Sequence, residues 1–407
     1  MKSALSHVTV LDLSRVLAGP WAGQVLADLG AEVIKVERPG TGDDTRGWGP
    51  PFLRDSEGRD TADAAYYLCA NRNKKSVTID FTTAEGQGIV RDLARTSDVV
   101  LENFKVGGLQ AYGLDYQSLK AVNPKLIYCS ITGFGQTGPY AQRAGYDLLV
   151  QAMGGLMSIT GRQDDEPGAG PQKAGVAVTD ILSGLYATIG ILAALAHRER
   201  GGEGQHIDVG LLDVQVACLA NQAMNYLVGG SAPQRSGNAH PNLVPYQDFP
   251  TSDGYMIIAV GNDAQFARLC GVLGLAALAQ DPSFATNKQR VLNRRELIDR
   301  LSAVTVTHPT AFWTRSLEDV GVPGGPINSL DAVFADPQVR ARGMRIELPH
   351  PASGSVPSVA NPLRLSETPV TYRSAPPLLG AQTREVLGQR LGLSASTLAE
   401  LHAKGIL

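Results

Sequence analysis

The chain is poor in the residues that metal, redox and disulfide chemistry need. Four cysteines, Cys69, Cys129, Cys218 and Cys270, lie far apart in 407 residues with no C-x-x-C pair. That spacing makes neither a zinc site nor a disulfide framework, and it suits a reducing, cytoplasmic compartment. The seven histidines show no ligand spacing: His197 and His206 stand nine apart with no third partner nearby. No metal is expected. Charge is sparse, at 18% of residues, and nearly balanced, with a net charge of -3. This gives no electrostatic case for nucleic acid or an anionic membrane. Long apolar runs are missing, and the longest, residues 189–196, is too short to span a bilayer. The opening MKSALSHVTVLDLS has no long apolar core, so no signal peptide is expected. Also missing is G-x-G-x-x-G. Gly19 and Gly23 are separated by Pro20, Trp21 and Ala22, and bulky residues there block close backbone approach to a pyrophosphate. An NAD(P)-dependent oxidoreductase is disfavoured on that ground, although Glu37, ending the second strand, mimics a ribose-binding acid.

What is present reads as an α/β protein. Residues 8–13 (VTVLDL) form a buried strand, 19–30 carry helical spacing, and 31–37 (AEVIKVE) form a second strand. The pattern recurs with a strand over 76–81, a helix over 84–94 and strands over 98–103 and 126–131. Such short, nearly continuous apolar runs belong to parallel strands covered on both faces. A charge-rich loop with Pro50 and Pro51 fills 41–63. A helix starts near Asp180 and ends at the GGEG of 201–204; a strand follows over 206–212, then a helix over 214–227. From residue 229 the composition turns rich in Gly, Pro and Asn. A strand at 254–260 and helices over 266–273, 294–303 and 310–320 follow. Beyond residue 343 the chain reads as β-like, then closes with helices over 383–391 and 395–404.

Three stretches invite chemistry. Asp180 is the lone carboxylate in KAGVAVTDILSGLYATIG, with no acid, histidine or cysteine beside it along the chain. It reads as a nucleophile or as a helix N-cap, and local sequence leaves both open. Arg72, Lys74 and Lys75 cluster before a strand, near Arg38 in the order of elements. They read as phosphate holders or as a solvated surface loop. In SGNAHPNLVPY, Gly237 and Asn238 offer close backbone approach. His240 reads as an acid/base or donor, or as a histidine satisfied within a turn.

Taken in order, VLDLSRVLAGPWAGQVLADLGAEVIKVERPGTGDDTRGWGPPF, NRNKKSVTIDF, DVVLENFKVGGL, SITGFGQTGPYAQRAGYD, AGVAVTDILSGLYATIG and GNAHPNLVPYQDF resemble the class III coenzyme A transferases across essentially the whole chain. The resemblance implies a Rossmann-like large domain (1–200, completed by 361–407), a linker over 201–224, a smaller α/β domain over 225–330 and a second linker over 331–360. It implies a homodimer whose two chains interlock. It places the nucleophile on Asp180, which attacks an acyl-CoA donor and carries coenzyme A as an aspartyl thioester. Coenzyme A is then a substrate, and no cofactor is permanently bound. Leu17 and Ala18 would meet the pantetheine, with Arg143, Tyr146 and Asp147 nearby. Arg38 and Ile79 would serve the adenine and phosphates, with Arg72, Lys74 and Lys75 beside them. Asn103 and Phe104 supply the E-N-F contact. Backbone N–H groups at Gly237 and Asn238, with His240, would face the substrate.

Two departures matter: Ala111 stands where some members place an arginine, and Tyr146 stands where the α-methylacyl-CoA racemase branch has histidine. A tyrosine pKa near ~10 disfavours the racemase. An intact Asp180 argues against a non-catalytic coenzyme A-binding protein. HPNLVPYQDF and GVPGGPINSLDAVFADPQV resemble the dicarboxylate branch, implying succinyl-CoA as donor and a dicarboxylate such as glutarate as acceptor. A dicarboxylate needs a cation for its second carboxylate, and Arg15, Arg46 and Arg72 are the candidates.

Overall fold

In the computed structural model, which describes residues 3–407, the apolar runs of the N-terminal half settle into one parallel sheet. Met1 and Lys2, where the signal-peptide reading begins, lie outside the described residues. The strands in chain order are β1 (Thr9–Asp12), β2 (Glu32–Glu37), a separate hairpin of β3 (Phe52–Arg54) and β4 (Asp60–Ala64), β5 (Lys74–Thr78), β6 (Val99–Glu102), β7 (Ile127–Thr132) and β8 (His206–Gly210). The sheet order is β5-β2-β1-β6-β7-β8, and every neighbouring pair is parallel. The order reverses between β1 and β6. Ligands of open α/β sheets gather at the carboxyl ends of the strands at such a reversal.

Alternation along the strands divides the core between the two faces of the sheet. Val10, Val33, Leu101 and Ile131 pack with Leu26 and Ile191 on one side. Leu11, Ile34, Val100 and Tyr128 pack with Val90, Leu93 and Leu387 on the other. The first side is covered by the Ala18–Asp28 and Val178–Glu199 helices. The latter has 22 residues and by length and composition is long and apolar enough to cross a membrane, unlike the shorter run read from the sequence. In the fold it packs on the Ala18–Asp28 helix, β7 and β8, and leaves Leu185, Tyr186 and Ile189 exposed.

The chain forms two units. The first takes residues 1–156, 174–224 and 337–407; the second takes 157–173 and 225–336. This differs from the sequence expectation in several places. Residues 201–224 are no free linker, because β8 forms the sheet edge there. The helix read over 214–227 is two helices, Leu211–Ala217 and Ala220–Gly229, broken where Ala220 turns to a φ of 46°. Residues 157–173 join the second unit.

In the second unit, β9 (Tyr246–Thr251), β10 (Gly254–Ala259) and β11 (Gly324–Pro326) make an antiparallel sheet in the order β11-β10-β9. Phe249, Met256 and Ile258 pack there with Phe266, Leu297, Trp313 and Leu317 from the unit's helices. The second expected linker, 331–360, is not a linker either: residues 331–336 belong to the second unit, and 337–360 return to the first and carry a hairpin of β12 (Arg345–His350) and β13 (Gly354–Val359). The segment ending in the Thr383–Leu391 helix then covers the β5 edge. Ser76 N donates to Gln382 Oε1 (2.9 Å) and Thr78 N to Thr383 Oγ1 (3.0 Å), which removes an open strand edge.

Candidate active site

The loops leaving β1, β6 and β7 meet at the crevice where the strand order reverses. Two cavities open there, of about 470 and about 370 Å³. Leu17, Ala18, Asn103, Arg143, Tyr146 and Asp180 line the larger. Arg38, Ile79, Phe81 and Tyr112 line the smaller, and Arg15, Asp44, Phe104 and Lys105 form a wall common to both. Asp180 reaches this place because two helices cross closely. A Cβ on Gly184, one turn after Asp180, would stand 2.6 Å from Ala18 O, so only glycine permits the approach.

Asp180 is not the N-cap of its helix. The cap position is Ala177, which has no side-chain acceptor, and Asp180 lies in the first turn. The capping comes from another helix: Asp147 Oδ1 accepts from Thr179 N (2.8 Å) and Asp180 N (3.3 Å), and Asp147 Oδ2 accepts from Gln151 Nε2 (2.6 Å). These are the N–H groups that a cap side chain ordinarily satisfies. The Asp180 carboxylate itself accepts no hydrogen bond among the described residues. Burial, and then the Asp147 carboxylate, push its pKa up to about 7. A partly buried, unpaired carboxylate of that basicity is a stronger nucleophile than an exposed aspartate. Tyr66 stands close: burial and then the Asp180 charge push its phenol up to about 12. Its ring meets Trp48, which lines the larger cavity, edge-on at 5.2 Å. Neither aromatic was singled out from the sequence.

Several predicted binding cations are tied down elsewhere. Arg46 is buried between Glu37 (2.7 Å) and Asp63 (2.6 Å), so it is not free to anchor a substrate carboxylate. The same pairing occupies Glu37, which also accepts from Ser76 Oγ (2.6 Å); it is no ribose-binding acid. Arg72 pairs with Asp28 at 2.6 Å, and Lys74, fully buried, with Asp12 at 3.0 Å. Lys75 bridges Glu32 (3.1 Å) and Glu385 (2.8 Å). The basic run is therefore neither a free phosphate cradle nor a solvated loop. Two of its charges are interior, and a buried charge must be paired, since stripping away one partner costs about 3–5 kcal/mol. Arg15 remains available. Its ion pair with Asp44 (3.0 Å) is exposed and weak, and its guanidinium lies over the Phe104 ring. Arg143 is exposed, stacks on Tyr140 with 4.5 Å to the ring centroid, and has no carboxylate partner among the described residues.

Sequence reasoning missed what holds the turn after β1. Val16, a β-branched residue, has a φ of 70°, a left-handed conformation that costs about 1–3 kcal/mol. Asp12, Lys35 and Asp43 lie behind it, all buried. The signal was a charge in the middle of an apolar strand, as in VTVLDL and AEVIKVE, where only a paired charge survives.

Gly237, Asn238 and His240 belong to the second unit. Gly237 N donates to Gly161 O (3.0 Å), so this N–H is not free as an oxyanion donor. His240 Nδ1 accepts from Asn242 N (3.0 Å) and Leu243 N (3.1 Å), and burial and then Arg294 lower its pKa. It is a neutral imidazole closing a turn. Gly237 and Asn238 line a cavity of about 800 Å³ within that unit.

The profile of CoA-transferase family III matches residues 5–383. Succinate–glutarate CoA-transferase of Agrobacterium fabrum is 55% identical over 388 residues, 95% of this chain and 96% of that protein. Human succinyl-CoA:glutarate CoA-transferase is 45% identical, over 99% of this chain and 90% of that protein. The crystal structure of a CAIB/BAIF family protein from Brucella suis superposes with a TM-score of 0.85 at 52% identity, covering 96% of this chain and 100% of that one.

Proposed function

Because the chain belongs to CoA-transferase family III, we propose that it moves coenzyme A from succinyl-CoA to a dicarboxylate such as glutarate, with Asp180 as the covalent nucleophile. The observation that carries this reading is Asp180 itself. It is a carboxylate with no hydrogen-bond donor among the described residues, pushed up to about 7, in a cavity at the carboxyl ends of a parallel sheet. The relatives' activities supply the substrate class.

The chemistry proceeds by acyl exchange at the Asp180 carboxylate. One Asp180 oxygen attacks the thioester carbonyl of succinyl-CoA, the C–S bond breaks, and coenzyme A thiolate leaves a succinyl–aspartyl anhydride. The thiolate attacks the aspartyl carbonyl, which frees succinate and leaves an aspartyl thioester. An acceptor carboxylate displaces the thiolate to form a second anhydride. Thiolate attack on the acceptor's carbonyl then releases the new acyl-CoA and restores Asp180. The steps balance without metal or redox cofactor, and each splits one difficult exchange into easier ones. Asn103 fixes the turn beside the thioester: its Oδ1 accepts from Arg15 N (2.9 Å) and its Nδ2 donates to Arg15 O (2.7 Å). The smaller cavity, with Ile79, Phe81 and Tyr112 as apolar walls and Arg38 at its rim, suits an adenine and its phosphates. The test is direct. The purified protein, given succinyl-CoA and a panel of acids, should yield glutaryl-CoA by mass spectrometry; if none of the acids yields a new acyl-CoA, the reading fails.

We also propose that the working form is an interlocked homodimer in a cytoplasmic setting. Support for the dimer comes from the exposed apolar residues Leu185, Tyr186 and Ile189, 38%, 44% and 59% accessible, on the helix that carries Asp180. A contiguous apolar face of this kind calls for a partner. Threaded chains should stay dimeric at nanomolar concentration until they unfold. An active monomer in mass photometry at that dilution would overturn the dimer without touching the transferase reading.

A further inference from the structure

The turn from β1 into the Ala18–Asp28 helix is held by side chains at every step. Ser14 N donates to Asp12 Oδ1 (2.9 Å), and Ser14 O accepts from Lys35 Nζ (2.9 Å). Arg15 N and O both bond to Asn103. Val16 N donates to both Asp43 oxygens, at 3.3 Å each. Five consecutive backbone groups thus find side-chain partners drawn from four other places in the sequence. Asp43 also accepts from Lys35 Nζ (2.8 Å), Thr45 N (3.0 Å) and Thr45 Oγ1 (2.7 Å). The Lys35 and Asp43 side chains are both fully buried. Burial alone would push the Asp43 carboxyl up; the Lys35 ammonium overrides it and holds it at about 2.

This clamp sits on a residue that resists its conformation. Val16 has a φ of 70°, which glycine adopts freely and a β-branched residue does not. A turn that merely joined a strand to a helix would need no such arrangement. Val16, Leu17 and Ala18 line the cavity that holds Asp180, so the orientation of this backbone fixes one wall of the reaction space. Strain kept at a site by surrounding structure is a mark of preorganisation.

We propose that Asp43 and Lys35 are positioning residues for acyl transfer: they hold Val16 in its left-handed conformation, so that the 16–18 backbone meets the thioester in register with Asp180. This rests on reading the cavity as the acyl-CoA site. The pair touches no substrate and acts through the turn. A displaced turn costs turnover more than acceptor binding, because sub-ångström misplacement of reacting groups lowers rate steeply.

The test is a double-mutant cycle between positions 43 and 16, read in succinyl-CoA:glutarate exchange and in thermal unfolding. Asp43→Asn should lower kcat by about 10²-fold, with the KM for glutarate within about 3-fold of wild type. Val16→Gly takes the left-handed conformation unaided, so in that background Asp43→Asn should cost less than about 10-fold in kcat. Should Asp43→Asn fail to fold because Lys35 is left unpaired, the double variant Lys35→Met/Asp43→Asn removes both charges and should show the same kcat loss. Equal kcat losses from Asp43→Asn in the wild-type and Val16→Gly backgrounds, or a lowered melting temperature with kcat intact, would overturn the proposal. Wild-type protein without exchange activity defeats the transferase reading instead. The non-additivity of melting temperatures across the same cycle still reports whether Asp43 strains Val16.

Discussion

Asp180→Ala is expected to abolish coenzyme A transfer, lowering kcat on the order of 10⁴-fold or more, while leaving the fold and acyl-CoA binding in place. The expectation follows from an arrangement in which no second group stands ready to take over. Asp147 is the carboxylate whose charge acts on Asp180, and its oxygens are committed to Thr179 N, Asp180 N and Gln151 Nε2. Asp180→Asn should behave likewise. In wild type, hydroxylamine added during turnover should displace coenzyme A from the aspartyl thioester and leave a hydroxamate on the peptide that contains Asp180. The variant should also change stability in a pH-dependent direction. A carboxyl raised from 3.8 to about 7 binds its proton more tightly in the folded state than in the unfolded one. Stability is therefore lost as pH rises through that window, and the cost of ionising Asp180 is complete above about 7. Asp180→Ala should melt a few °C higher than wild type at pH 8, with the gap closing as pH falls toward 4. Near-wild-type turnover in the alanine variant would end the nucleophile assignment.

Glutarate should outrun butyrate as acceptor by about 10- to 10²-fold in kcat/KM, because its second carboxylate makes a charge-assisted hydrogen bond, worth about 1.5–3 kcal/mol, that butyrate cannot make. The structure narrows the choice of cation. Arg46 and Arg72 are consumed by interior carboxylates, so the role falls to arginines that face the cavity, Arg15 and Arg143. Arg143 is the sharper choice, since no carboxylate competes for it among the described residues. Arg143→Leu should erase the preference for glutarate while sparing the affinity for free coenzyme A. A uniform loss across all acceptors would instead make Arg143 a coenzyme A contact. Equal values for glutarate and butyrate in wild type would remove the dicarboxylate specificity and leave Asp180 untouched.

The sheet was legible because parallel strands buried on both faces must be apolar along their length, and β1, β2, β6 and β7 each announce themselves in that way. Asp180 was legible as an anomaly, although its role was not. The residue that caps its helix, Asp147, lies on another helix 33 positions earlier, and local sequence cannot say whether a cap is needed. The interior cations failed for a related reason. Arg72 looks like a surface arginine until Asp28 arrives from a helix 44 residues away. The β3–β4 hairpin and β9 were missed because short strands with polar or mixed faces lack a clear period.

The division of the chain also sets an order of events at the ribosome. The first unit is assembled from three stretches, and residues 225–336 of the second unit are translated before residues 337–407 exist. Until they emerge, the β5 edge has no cover, Asp28 lacks Asn361, and the sheet face around Leu11 lacks Val386, Leu387 and Leu407. The inserted unit can therefore be complete while its host is still waiting, which reverses the usual N-terminal-first sequence of cotranslational folding. During that interval the host exposes an unpaired parallel strand edge and half-covered apolar faces, so chaperone demand should fall on the nascent first unit and not on the insert.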